Sequence, residues 1–135
     1  SRLLGQTVAG IQADRIAAAE EAARRFGVVT VLKGAGTVIA DPKGPVFINS
    51  TGNAAMASAG MGDVLTGAIA GLVAQGLPVT LAAVLGVYLH GLAGDIATEE
   101  LGGPGILAGD VQDRLPAAAA RLRAGRVPPA VSIRW

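Results

Sequence analysis

The first clear pattern along the chain is Asp14 followed by Arg15 to Phe26 and then Gly27. A short polar residue ahead of a run of helix formers, with Arg24 and Arg25 near its end and a glycine behind, predicts a helix with both caps in place. Val28-Val29-Thr30-Val31-Leu32 is continuously apolar and rich in β-branched side chains. That composition predicts a strand buried on both faces, and helix running into buried strand is an α/β unit. Thr37-Val38-Ile39-Ala40 and Pro45-Val46-Phe47-Ile48 flank Asp41-Pro42-Lys43-Gly44, a turn signal that predicts a hairpin. Small residues dominate from Asn49 to Gly60 and lead through Met61-Gly62-Asp63 into an apolar helix that ends near Gln75-Gly76. Pro78 suits the first turn of a second apolar helix reaching about Leu101, before Gly102-Gly103-Pro104-Gly105. A last helix is expected from about Asp110, through Pro116, to Arg123, and the tail 127–135 reads as a final edge strand. No internal repeat and no linker interrupts this order, which describes one domain or part of one.

No Asp, Glu, Lys or Arg occurs between Val64 and Gly94. A membrane span needs about 20 uninterrupted apolar residues, and Gln75-Gly76-Leu77-Pro78 divides this stretch, so two buried core helices are expected instead. Helices apolar on all sides need a large interior around them, more than 135 residues readily provide. The chain also opens Ser1-Arg2-Leu3-Leu4, without Met or a leader-like pattern. Both features lead us to expect a fragment of a longer product. With 11 Lys and Arg against 10 Asp and Glu, the net charge of +1 offers no electrostatic reason to bind nucleic acid or an acidic membrane. The absence of cysteine removes disulfides, thiolate metal sites and thiol nucleophiles, and fits a reducing compartment such as the cytoplasm. Aromatic residues at 3% leave no base-stacking platform. Glycine, at 20 residues, is about twice as common as usual, which points to tight turns, close helix contacts or backbone that touches a ligand.

Candidate chemistry starts at Ala59-Gly60-Met61-Gly62-Asp63, a glycine-rich loop that empties into a helix. The first amides of a helix lack internal partners and sit at its positive end, so such a loop can cradle phosphate. The same spacing also suits a bend capped by Asp63. A carboxylate beside an anion hole has no structural need to be there, whereas a general base for a hydroxyl attacking phosphorus would stand in that place. No Gly-Lys-Ser/Thr follows, so this is not a Walker loop. Lys33-Gly34-Ala35-Gly36-Thr37 follows the strand end where open α/β sheets bind ligands, and Lys33 is either a charge for phosphate or a side chain snorkelling from a turn. His90, the only histidine, most simply reads as a hydrogen-bonded core residue, since a zinc site would need further ligands. Asp95, Glu99 and Glu100 read as a solvated helix end, and Asp110 as an N-cap. Ser50, Thr51 and Ser58 have no histidine in a triad-like frame.

Val31-Leu32-Lys33-Gly34-Ala35-Gly36-Thr37, Thr51-Gly52-Asn53, the block from Met56 to Gly67 and Tyr88-Leu89-His90-Gly91-Leu92-Ala93-Gly94-Asp95 together resemble the ADP-dependent NAD(P)H-hydrate dehydratase family. The resemblance runs from Arg2 to about Leu115; the Gly-x-Gly-Asp core alone would indicate only the wider ribokinase-like group. It implies a ribokinase-like α/β fold, with a mostly parallel sheet flanked by helices on both faces, of which residues 1–135 are the C-terminal part. The implied activity is a lyase's: ADP- or ATP-dependent dehydration of (6S)-NADHX or NADPHX to NADH or NADPH, with AMP and phosphate leaving and Mg²⁺ screening the phosphates. By position, Lys33, Gly34, Ala35, Gly36 and Thr37 would bind the nucleotide. So would Asn53, Ala54, Ala55, Met56, Ala57, Ser58, Ala59, Gly60, Met61 and Gly62. Asp63 would contact the hydrated nicotinamide and act as catalytic base. The resemblance further implies a homo-oligomer, joined to or partnered with an epimerase. Family domains are longer, and Ala54-Ala55 stands where a Pro-Gly or Ala-Gly pair is expected. Two alternatives remain at this point: a ribokinase-like small-molecule kinase acting on a vitamin alcohol, and an inactive nucleotide-binding fragment.

Overall fold

The structure is a computed structural model and describes residues 2–126 together with the backbone of 132–134. Helix α1 spans Val8–Ala13 and α2 Arg15–Phe26; strands β1 Thr30–Leu32, β2 Val38–Ala40 and β3 Val46–Ile48 follow. Then come α3 Met61–Ala74, α4 Val79–Leu101, α5 Ala108–Arg123 and β4 Ser132–Arg134. Asp14 caps α2 by accepting from Ala17 N at 2.9 Å, and Gly27 closes it in the left-handed conformation at φ 65°. Helix α1 has no counterpart in the sequence reading. It is short, carries Gly10, and depends on Thr7, whose hydroxyl accepts from Gly10 N. In α5 the first turn begins at Leu107, and Asp110 sits inside that turn and reaches back to accept from Leu107 N at 2.7 Å. The expected edge strand is present as β4; residues 127–131 and Trp135 lie outside the described residues.

The four strands lie in the order β1-β2-β3-β4, each antiparallel to its neighbour. The expectation of a mostly parallel sheet is therefore not met among the described strands. The connections 33–37 and 41–45 are too short for a crossover, which takes about a dozen residues or more, so only hairpins can form. Helices do cover both faces. Val38 and Ala40 point with Val46 toward Ala19 and Ala23 of α2. Ile39, one residue out of phase, points the other way and packs with Leu65 of α3 and Ala83 and Val87 of α4. Strand β1 corrects a second expectation: it is half-buried rather than enclosed, because it pairs only with β2 among the described strands, and Val28 ahead of it is 50% exposed.

A second core joins α4 to α5 through Tyr88, Leu92 and Ile96 against Ile106, Val111 and Ala118. Helix α4 is long and apolar enough to cross a membrane, yet most of it is buried against the rest of the chain, as a core helix is. Helix α3 is not enclosed in the same way. Only Met61 and Leu65 are buried in it, so the expectation of two buried core helices is met by α4 and not by α3.

Candidate functional site

The loop after β1 is built by its own side chains. Thr37 donates its hydroxyl to Gly34 O at 3.0 Å and accepts from Gly34 N at 3.3 Å, folding residues 34–37 into a closed turn. Arg15, at the start of α2, donates to the carbonyls of Leu32 and Lys33 at 3.0 and 3.2 Å, which ties strand end and helix together. Gly34 is at φ 147°, and any side chain there would run into that guanidinium. The Thr37 hydroxyl is thus committed to loop shape.

The second loop lies on α4. Asn49 is buried and donates to Thr51 O at 2.8 Å, and the Thr51 hydroxyl donates to Tyr88 O at 2.8 Å. Asp95, read from sequence as solvated, receives Gly52 N at 2.9 Å and Asn53 Nδ2 at 2.8 Å. Asn53 Oδ1 in turn accepts from Ala55 N and from the Thr98 hydroxyl. The Asn53 amide, a predicted nucleotide contact, is consequently spent on holding its loop. Gly91 and Gly94 allow the close approach: a Cβ at either would strike Thr51 or Met56. Ser58 is also occupied, donating to Ile106 O at 3.1 Å.

The loops converge on the N-terminus of α3. Gly60 stands at φ 84°, a conformation that favours glycine, and its carbonyl accepts from both Asp63 N and Val64 N. The amides of Met61 and Gly62 are left without an acceptor inside the helix, at the positive end of its dipole. The Lys33 ammonium comes over this turn, so close that a Cβ on Gly62 would collide with Nζ. Two positive features side by side repel unless an anion comes between them. Asp63 is exposed, and no side chain caps α3, which removes the reading of Asp63 as a mere cap. His90 of α4 hydrogen-bonds the Met61 backbone. Burial, and to a lesser degree the Lys33 charge, lower its pKa against that hydrogen bond, which raises it. Its Nε2 is buried without a partner.

Together these parts enclose a cleft of about 730 Å³. All of Lys33 to Thr37 borders it, as do Asn53, Ala54, Met56, Ala57, Ser58, Gly60, Met61 and Gly62. Asp63 follows the lining Gly62, and Ala59 precedes the lining Gly60. Ala55 faces a neighbouring depression bordered by Asp95 and Arg121. Asn49, Leu65, Val87, His90 and Gly91 also line the cleft. Of these, His90 and Gly91 carried a signal in the sequence, a lone histidine and a glycine within an apolar helix; Leu65 and Val87 look like any core residue.

A family profile described as NAD(P)H-hydrate dehydratase matches residues 1–117. Over 116 residues the chain is 57% identical to the bifunctional NAD(P)H-hydrate repair enzyme of Moorella thermoacetica, covering 86% of this chain and 22% of that one. It is 49% identical over 112 residues to the ADP-dependent (S)-NAD(P)H-hydrate dehydratase of Neisseria meningitidis, covering 82% and 38%. The fold superposes with a TM-score of 0.83 and 38% identity on the ADP/ATP-dependent NAD(P)H-hydrate dehydratase of Bacillus subtilis co-crystallised with ATP and Mg²⁺. That match takes in 89% of this chain and 43% of the other. The chain spans well under half the length of each of these relatives.

Proposed function

The chain belongs to the NAD(P)H-hydrate dehydratase family, and from that premise we propose that the polypeptide carrying it dehydrates NADHX or NADPHX to NADH or NADPH at the expense of ADP or ATP. The observation that carries this reading is the first turn of α3: the amides of Met61 and Gly62 without an acceptor among the described residues, the Lys33 ammonium beside them, and a carboxylate at Asp63 that caps nothing. In the proposed mechanism Asp63 takes the proton of the ring hydroxyl as that oxygen attacks the terminal phosphorus of ADP. The bond from phosphorus to the bridging oxygen breaks and AMP leaves. The amides of Met61 and Gly62, with Lys33, stabilise the charge on the transferring group. Phosphate then departs from the ring carbon with its electron pair, the neighbouring ring carbon loses a proton, and the dihydropyridine double bond returns.

The loops 33–37 and 53–62 form the nucleotide side of the site, with Thr37, Asn53 and Ser58 contributing through the shape they impose rather than through free polar atoms. Mg²⁺ would travel with the phosphates and neutralise their charge. We place the rest of a parallel sheet along the outer edge of β1, where α/β architecture would continue. An epimerase fused to or paired with this chain, and assembly into a homo-oligomer, belong to the same proposal.

The test uses the full-length polypeptide with NADHX and ADP. Dehydration restores the absorbance of NADH; a flat signal with a stable phosphate ester would instead identify a kinase. Asp63→Asn is expected to lower turnover by about 100-fold or more while ADP affinity stays within about threefold. Unchanged turnover would remove Asp63 from the mechanism.

A further inference from the structure

Two polar atoms of residues that line the cleft, Lys33 Nζ and His90 Nε2, have no hydrogen-bond partner among the described residues, and both side chains lie against the first turn of α3. The Lys33 ammonium has no carboxylate or carbonyl partner among the described residues, and it lies against Gly62. His90 is 8% exposed, lines the same cleft, and is held through one ring nitrogen by the backbone of Met61, the residue next to Gly62. Its other nitrogen, Nε2, is closed to solvent and unpaired. An unmade hydrogen bond on a buried group is costly, so such atoms normally have a partner in the working state.

The chemistry of the pair is complementary. A neutral imidazole that donates from Nδ1 to a carbonyl carries its lone pair on Nε2 and can only accept there. An ammonium has three donors and no acceptor, and Lys33 carries the only ammonium among the residues that line the cleft. Nε2 is closed to bulk water, and Lys33 reaches the same turn of α3 that His90 packs against.

We propose that His90 is a positioning residue for Lys33: in the nucleotide-loaded cleft, Nε2 accepts one N–H of the Lys33 ammonium and leaves the other two for phosphoryl oxygens. The inference rests on the reading that the cleft binds a nucleotide through its phosphates. It gives the lone histidine of the chain a task at the site. It also explains how an ammonium is kept at the positive end of a helix: the imidazole lone pair offsets part of that repulsion and fixes the direction of the charge.

A double-mutant cycle in the full-length polypeptide tests this, read by calorimetric binding of ADP and of adenosine. His90→Asn retains an N–H for the Met61 carbonyl and deletes the Nε2 acceptor; His90→Gln can return an acceptor at that distance. His90→Asn is expected to weaken ADP about tenfold and adenosine less than twofold, and His90→Gln to recover most of the ADP affinity. In a Lys33→Met background, the same His90→Asn change is expected to move ADP affinity less than about twofold. Equal effects of His90→Asn with and without Lys33 would overturn the pairing while leaving the nucleotide reading intact. Failure of the unsubstituted protein to bind ADP would overturn both. Should His90→Asn not fold, the ¹⁵N resonance of His90 Nε2 in the unsubstituted protein decides. ADP must shift it and adenosine must not, and an unmoved resonance on ADP saturation overturns the proposal.

Discussion

A histidine buried beside a lysine is a choice with a pH signature. Burial, ahead of the Lys33 charge, lowers the pKa of His90 from the usual value near 6.5 in the folded protein. Between the lowered value and 6.5 the unfolded chain binds more protons than the folded one, so stability falls as pH drops through that window. Above 6.5 both states hold a neutral ring and the contribution is flat. The thermal midpoint of the full-length protein is therefore expected to fall between about pH 7 and about pH 5, and His90→Asn to remove part of that slope. Identical slopes would show that the imidazole does not titrate differently on folding. This residue also shows where reading from sequence stops. That His90 would be buried follows from its place in an apolar helix. That one nitrogen would meet Met61, 29 positions away in the chain, and the other would be buried without a partner is carried by no local pattern.

At the scale of elements, α4 is the platform that shapes the second loop. Gly91 sits one helical turn before Gly94 and Asp95, and the three act on the same loop: the glycines admit Thr51 and Met56, and the carboxylate ties down Gly52 and Asn53. A Cβ at Gly91 would stand 2.7 Å from the backbone of Thr51, which cannot swing aside as a side-chain tip can. Gly91→Ala is thus expected to cost about 1–3 kcal/mol in chemical denaturation despite alanine's better helix propensity, and to weaken ADP binding by displacing the loop. Gly109→Ala, on α5 with nothing within 4 Å of the added carbon, serves as control and should be neutral or slightly stabilising. Element boundaries were largely legible because their signals are local: Asp14 and Gly27 bracket α2, Asp41-Pro42-Lys43-Gly44 turns the hairpin, and Gly60 opens α3. The role of Asp95 was not, because its partners are 42 and 43 residues away and a helix-end carboxylate looks the same whether solvated or latched.

At the scale of the whole molecule, the resemblance named many of the residues that border the cleft, but composition could not orient the sheet, since a buried apolar run is the same in parallel and antiparallel pairing. The unfinished surfaces are informative in another way. Beyond Asp63, the residues Thr66, Gly67, Ala70, Gly71 and Ala74 are all exposed, and their spacing places them along one face of α3. A Cβ on Gly67 or Gly71 would meet nothing within 4 Å. A helix of mean composition this apolar does not normally leave a glycine and alanine stripe to water, and the relatives are more than twice as long as this chain. If the chain is part of a polypeptide of its relatives' length, that stripe is expected to be covered by close-packed backbone or side chains. The substitution Gly67→Leu separates the cases by sign. On an open face it should stabilise the helix by somewhat under about 1 kcal/mol, the difference in propensity between leucine and glycine. Under a packed neighbour it should destabilise by about 1–3 kcal/mol, because the added side chain has nowhere to go. Urea denaturation of the full-length protein is expected to show the loss, and of residues 1–135 alone the gain. A gain in both would mean that the stripe faces solvent throughout, and that the small residues there serve helix α3 itself.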